Sequence, residues 1–180
     1  MPLKDFARSL RDGILPRERL RRANPGAFVA GTVTFAGDAS RARLAADVSV
    51  LGPTALFVTD GGGLNGALLE VGERTYIGEF NNIRCAGAPI RIGRHCLVSQ
   101  HITIVGSNHG TAPGTPIVDQ PWTGDGVVIG DDVWIGAGAV ILPGARIGDG
   151  CVIAANSTVK GEIPAGSIVA GSPATVLRHR

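Results

Sequence analysis

His109 is the side chain in this sequence whose type and setting best suit chemistry. It stands in Gly106-Ser107-Asn108-His109-Gly110, just before a proline- and glycine-rich stretch, residues 110–128, that holds Pro113, Gly114, Pro116, Pro121, Gly124 and Gly126. Moving an acyl group to a hydroxyl or an amine needs a base with a pKa near working pH, and imidazole supplies one. A positioned general base contributes about 10²–10⁴-fold in rate. Long loops inside ordered arrays are usually functional, and this one is placed to wall off solvent from the ring. Asp119 and Asp125 lie in that loop, although the sequence alone assigns neither as an acid partner of His109.

Such a base needs a rigid support, and the flanking sequence supplies one. Val71, Ile77 and Ile83 are six apart, a nine-residue step leads to Ile92, and Val98 and Ile104 follow at six. After the break the period resumes at Ile129 and runs through Ile135, Ile141, Ile147, Ile153, Val159 and Ala165. Small residues recur four after the aliphatic: Val133, Ala139, Ala145, Cys151 and Ser157. A strict period of six does not supply the three-and-four spacing of an amphipathic helix. It suits short strands that bury alternate residues and turn at glycine-rich corners. Three such edges close a triangular coil of about 18 residues, and stacking of coils buries the faces that one coil leaves open. Each buried Ile or Val contributes roughly 1.5–3 kcal/mol.

The totals agree with that reading. Glycine accounts for 27 of 180 residues, about double the usual share of roughly 7 %, at regular offsets among aliphatics. A net charge of +2 and 4 % aromatics argue against a nucleic-acid partner. No apolar run approaches the ~18 residues of a membrane span, and the charged N-terminus does not read as a secretory signal. Cys85, Cys96 and Cys151 form no CxxC pair, which points to a reducing compartment, the cytoplasm, without a disulfide framework. Cys96 and Cys151 occupy the small-residue position and are expected to be core hydrophobes.

Residues 1–27 form a basic arm. Leu3, Phe6, Leu10 and Ile14 suggest an amphipathic helix, broken by Gly13 and Pro16, with Pro16 opening a second short helix through Leu20. Residues 28–70 read as an irregular β segment, with early solenoid as the alternative; Asp60-Gly61-Gly62-Gly63 marks a turn there.

Asn81, Ile92-Gly93, His109 and Val128-Ile129-Gly130-Asp131-Asp132-Val133-Trp134-Ile135-Gly136 together resemble the hexapeptide-repeat acyltransferases. The nearest branch is the maltose/galactoside and capsular-polysaccharide O-acetyltransferase-like group, and the resemblance covers residues 71–177. It implies an all-β fold, a left-handed parallel β-helix, assembled as a homotrimer with active sites between adjacent subunits. It implies acetyl-CoA as co-substrate, a sugar, saccharide or related small molecule as acceptor, and no metal. By the same resemblance His109 is the general base, and Asn81 contacts the acceptor, with Asn82 as a weaker neighbour. An internal side-chain ladder is the structural alternative for Asn81. Trp134 is expected near the pantetheine arm, Gly136, Ala137 and Ala155 along it, and Lys160, Arg178 and Arg180 near the CoA phosphates. The lysine of Val159-Lys160-Gly161 is shifted by one from the Thr-Lys of the galactoside branch. Two other classes share the architecture. One is a non-catalytic assembly or binding module. The other is a γ-carbonic-anhydrase-like metalloenzyme, whose metal site has two histidines five apart, a spacing that His95, His101, His109 and His179 do not offer.

Overall fold

The computed structural model describes residues 14–180. The first helix expected from the sequence lies outside them. The second, α1 (Leu15–Ala23), starts with Pro16 in its first turn, where a missing N–H costs nothing, and runs past Leu20 to Ala23.

Most of the strands that follow belong to one coil path. Face A stacks β1 (Phe28–Val29), β4 (Ser49–Val50), β7 (Tyr76–Ile77), β10 (Leu97–Val98), β15 (Trp134–Ile135), β18 (Val152–Ile153) and β21 (Ser167–Gly171). Face B stacks β2 (Thr34–Gly37), β5 (Ala55–Val58), β8 (Asn82–Arg84), β11 (Thr103–Val105), β16 (Val140–Ile141) and β19 (Thr158–Val159). Face C stacks β3 (Ala42–Leu44), β6 (Leu68–Val71), β9 (Pro89–Ile92), β14 (Val127–Ile129), β17 (Arg146–Ile147) and β20 (Glu162–Ile163). Pairing within each face is parallel up to β21, and the chain visits A, B and C in turn. The architecture is a left-handed parallel β-helix.

The aliphatics of the six-residue period fill the interior. Ile77, Ile83, Val98, Ile104, Ile135, Ile141 and Ile153 are completely buried. Residues 28–70, which the sequence leaves unphased, are full coils: β1 pairs with β4, β2 with β5 and β3 with β6, around buried Val29, Phe35, Leu44, Val50 and Leu56. The solenoid therefore begins at Phe28 rather than at Val71. The period is corrected at its other end too. Ile147 pairs with Ile163, which is buried, whereas Ala165 is exposed. The corner after Val159 is two residues short, so the inward position falls on Ile163.

Departures from six collect at the corner between faces B and C. Phe35 to Leu44 and Ile83 to Ile92 are steps of nine, and longer excursions separate Leu56 from Val71 and Ile104 from Ile129. Because the coils are in register, these excursions stack along one edge of the prism. Each end of the prism carries an element that departs from the coil path. At the start, Leu20 of α1 is completely buried, and the Asn24 amide donates to the carbonyls of Leu20 and Ala42 while accepting from the Leu44 N–H. At the finish, β22 (Ala174–His179) turns back and pairs antiparallel with β21.

Candidate functional site on the B–C edge

The break after β11 folds into a short antiparallel ladder, β12 (Asn108–His109) with β13 (Trp122–Thr123), and His109 stands opposite Trp122. Between the two strands the loop is tied from within by Gln120. Its buried amide accepts from the Ala112 N–H at 2.7 Å and donates to the carbonyls of Ala112 and Thr115 at 2.9 and 2.8 Å. The ladder is also tied to the second coil, because the Trp122 N–H donates to the Gly62 carbonyl at 2.7 Å.

The glycine turn at residues 61–63 now has a physical role. The indole of Trp122 lies flat against it: a Cβ added to Gly62 would fall 2.0 Å from Trp122 Cγ, and one on Gly61 would fall 2.6 Å from Cη2. Gly62 also has φ +56°, a conformation that disfavours other residues. Asp60 anchors the turn by accepting from the Ala67 N–H and pairing with Arg41 at 2.6 Å. The Ala67 N–H first, and Arg41 after it, hold the Asp60 carboxyl below its usual range.

His109 is exposed and meets Trp122 edge-on, with ring centroids 5.4 Å apart and planes at 70°. Its imidazole makes no hydrogen bond among the described residues; neither Asp119 nor Asp125 is bonded to it. The two rings line a cavity of about 260 Å³ together with Arg84, Ala86, Val105 and Ser107. Ser107 is fixed beneath by donating to the Ala86 carbonyl at 2.6 Å. The sequence reading passed over Trp122 and Arg84. An aromatic inside a proline- and glycine-rich break was the available signal for Trp122; Arg84 carried none, because its place depends on which strand it pairs with.

Asn81 sits elsewhere. It lies four residues after Ile77, the same small inward position that holds Cys96 and Cys151, and it is 2 % exposed. Its amide donates to the carbonyls of Gly78 at 3.0 Å and Ser99 at 2.8 Å and accepts from the Ile102 N–H at 2.7 Å. Both amide hydrogens are spent on the backbone, the arrangement of an internal ladder, while the residue also borders the cavity that Asn82 lines. Asn82 points outward and accepts from Arg84 Nε at 3.0 Å. It lines a second cavity, about 400 Å³, beside Phe80 and His101, whose rings stack at 4.8 Å.

Trp134 lies on the outer side of face A, 51 % exposed, and its indole N–H donates to Ser99 Oγ at 3.2 Å. It lines a cavity of about 300 Å³ with His95, Leu97, Asp132, Val152 and Arg180, none of which belongs to the His109 cavity. Arg180 pairs there with Asp132 at 2.7 Å. Lys160 and Arg178 are exposed and line neither cavity. Gly136 is buried, and a Cβ there would come 2.6 Å from the Ala155 nitrogen, so its small size serves coil stacking. Ala137 is half-buried and Ala155 exposed.

The cysteines are buried and free. Cys85, though off the small-residue position, is fully enclosed, and burial pushes its thiol up to about 12. Burial raises Cys96 and Cys151 as well. Among the described residues no three of His, Cys, Asp and Glu gather where they could hold a metal, and no helix is long and apolar enough to cross a membrane.

Residues 126–161 match the model of the bacterial transferase hexapeptide family (six repeats). A hexapeptide-repeat-containing acetyltransferase of Vibrio cholerae is 30 % identical; the match covers 72 % of this chain and 73 % of that one, with a TM-score of 0.58. A Vibrio cholerae O1 biovar eltor structure of such an enzyme, complexed with acetyl coenzyme A, is 29 % identical over 74 % and 70 % of the two chains, with a TM-score of 0.58. A maltose O-acetyltransferase of Clostridium difficile 630 is 26 % identical over 72 % and 68 %, again with a TM-score of 0.58. No curated protein gives a significant match.

Proposed function

The chain belongs to the hexapeptide-repeat acyltransferase family, and from that premise we propose that it moves an acetyl group from acetyl-CoA to a hydroxyl of a sugar, saccharide or related small acceptor, with His109 as general base. The observation that carries this reading is the setting of His109: an unengaged imidazole, held by the β12–β13 ladder on a rigid edge, opening into a cavity. The acceptor hydroxyl gives its proton to the imidazole as its oxygen attacks the thioester carbonyl. The tetrahedral intermediate then collapses, the C–S bond breaks, and the CoA sulfur leaves with the proton returned from the imidazolium. Backbone N–H groups stabilise the oxyanion between these steps. An amine acceptor would follow the same course and is the second choice.

The site is shared between subunits in this reading. Trp134, which we assign to the pantetheine arm, and His109 line separate cavities with no common residue. Face A carries Tyr76, Leu97, Trp134 and Val152 in one outward row, an apolar strip suited to a neighbour. A homotrimer in which the His109 edge of one subunit meets face A of the next would complete the site. Arg180, beside Trp134, is a better placed candidate for a CoA phosphate than Lys160 or Arg178.

Incubation with acetyl-CoA and pooled sugars or amines, followed by detection of free thiol, tests the activity. No thiol release with any acceptor, and no thermal shift with CoA, would favour a non-catalytic scaffold. Light scattering reads the trimer. Mixing His109→Ala and Trp134→Ala subunits then tests the shared site: mixed trimers regain activity if one residue comes from each subunit, and stay inactive if both come from the same one.

A further inference from the structure

Arg84 differs from most arginines on this surface. On face C, Arg43 and Arg91 both pair with Glu70, at 2.9 and 2.8 Å. At the corners, Arg41 pairs with Asp60, Arg94 with Asp131 and Arg180 with Asp132. Arg84 has no carboxylate partner among the described residues, yet its guanidinium is held in place. Its Cζ lies 4.0 Å from the centroid of the Phe57 ring, the residue opposite it in the neighbouring strand, and its Nε donates to Asn82 Oδ1 at 3.0 Å. Stacking and a single Nε bond fix the plane of the group and leave both terminal nitrogens open. That is the arrangement in which a guanidinium receives a carboxylate or a phosphate through two parallel hydrogen bonds.

The group borders the His109 cavity, whose lining contains no aspartate or glutamate. A substrate hydroxyl at His109 therefore lies in a small chamber whose one fixed charge is positive. We propose that the acceptor carries an anionic group, carboxylate or phosphate, and that Arg84 is the residue that selects it. The inference rests on the acetyltransferase reading of the cavity and names the substrate class for it. His109 then handles the hydroxyl of a sugar acid or sugar phosphate while Arg84 holds the anion, so that one end of the molecule sets the position of the other.

The test uses the full-length protein and three matched sugars: glucose, glucuronic acid and glucose 6-phosphate. Binding in the presence of CoA is read by saturation-transfer NMR, and turnover with acetyl-CoA by thiol release. At least one anionic sugar should bind about 10–100-fold more tightly than glucose, the range expected for hydrogen bonds to a charged group. Arg84→Gln should abolish that preference, bringing the anionic sugar down to the affinity of glucose, while the KM for acetyl-CoA stays unchanged. Arg84→Lys, which keeps the charge but not the fork, should retain part of it. Which of the two anions binds better distinguishes carboxylate from phosphate. Equal binding of all three sugars by the wild type, or an unchanged preference in Arg84→Gln, overturns the inference. Anion-selective binding without thiol release from any acceptor, the three sugars included, would instead count against the acetyltransferase reading and leave the anion site standing.

Discussion

The B–C edge of the late coils and that of the early coils obey the same register but carry different amounts of chain. From Val127 to Val159 the path is bare: inward aliphatics follow at steps of six, and β14 passes to β20 with only tight corners. In the first four coils the same corner is where the chain departs, by three residues in the first and third and by more in the second and fourth. The departures do not disturb the stack. Val127 still pairs with Ile90 across the whole His109 excursion, and Val140 with Thr103. A strand re-enters register because its buried residue must meet the aliphatic of the preceding coil, whatever happened at the corner. Stability and chemistry are thus assigned to different parts of a repeating object, one to the interior column and the other to what hangs from a single edge.

That division predicts effects that separate cleanly. His109→Ala should lower kcat by about 10²–10⁴-fold, while thermal stability stays within about 0.5 kcal/mol, as for other exposed substitutions. If the variant stays fully active, or unfolds, the division fails at its most important residue. Ile135→Ala, in the completely buried column, should destabilise the fold by about 2–5 kcal/mol, measured by denaturant unfolding. Any activity that survives should keep an unaltered KM. Gly62→Ala tests whether the edge is ordered by contact between excursions. The added methyl occupies the place of the Trp122 indole, so turnover should fall about tenfold or more, the sensitivity expected when a positioning contact shifts by an ångström, with a loss of roughly 1 kcal/mol of stability from the positive φ. The smallest effect concerns the thiols. With Cys85 pushed up to about 12 by burial, its thiolate is scarce at pH 8, and iodoacetamide should leave all three cysteines unmodified until the protein unfolds. Rapid labelling of folded protein, read by mass spectrometry, would show that the coil interior opens to solvent.

Much of the interior was legible in the sequence because its rule is local. One aliphatic every six residues and a small residue four later suffice to place Cys96 and Cys151, and the same rule applied to Asn81 places it inside. Residues 28–70 escaped because two of their steps are not six, and a period cannot be phased through irregular corners without knowing that they stack. Ala165 was misassigned for the converse reason, a corner shortened by two. The edge was legible only at His109, whose type announces a use. Trp122 acquires its role from Gly61 and Gly62, sixty residues earlier, and Arg84 from Phe57 on the adjacent strand. Those relations exist only once the coils are stacked.

The two end elements of the prism bear on a matter apart from catalysis. Each coil offers the next a row of open hydrogen-bonding groups and an apolar triangle, so an uncapped stack would be a seed for end-to-end growth. Here α1 sets Leu20 over the first triangle, and β22 ends face A with a strand running against the others. On face A, therefore, a second molecule would meet an antiparallel strand in place of the parallel edge that continued stacking needs.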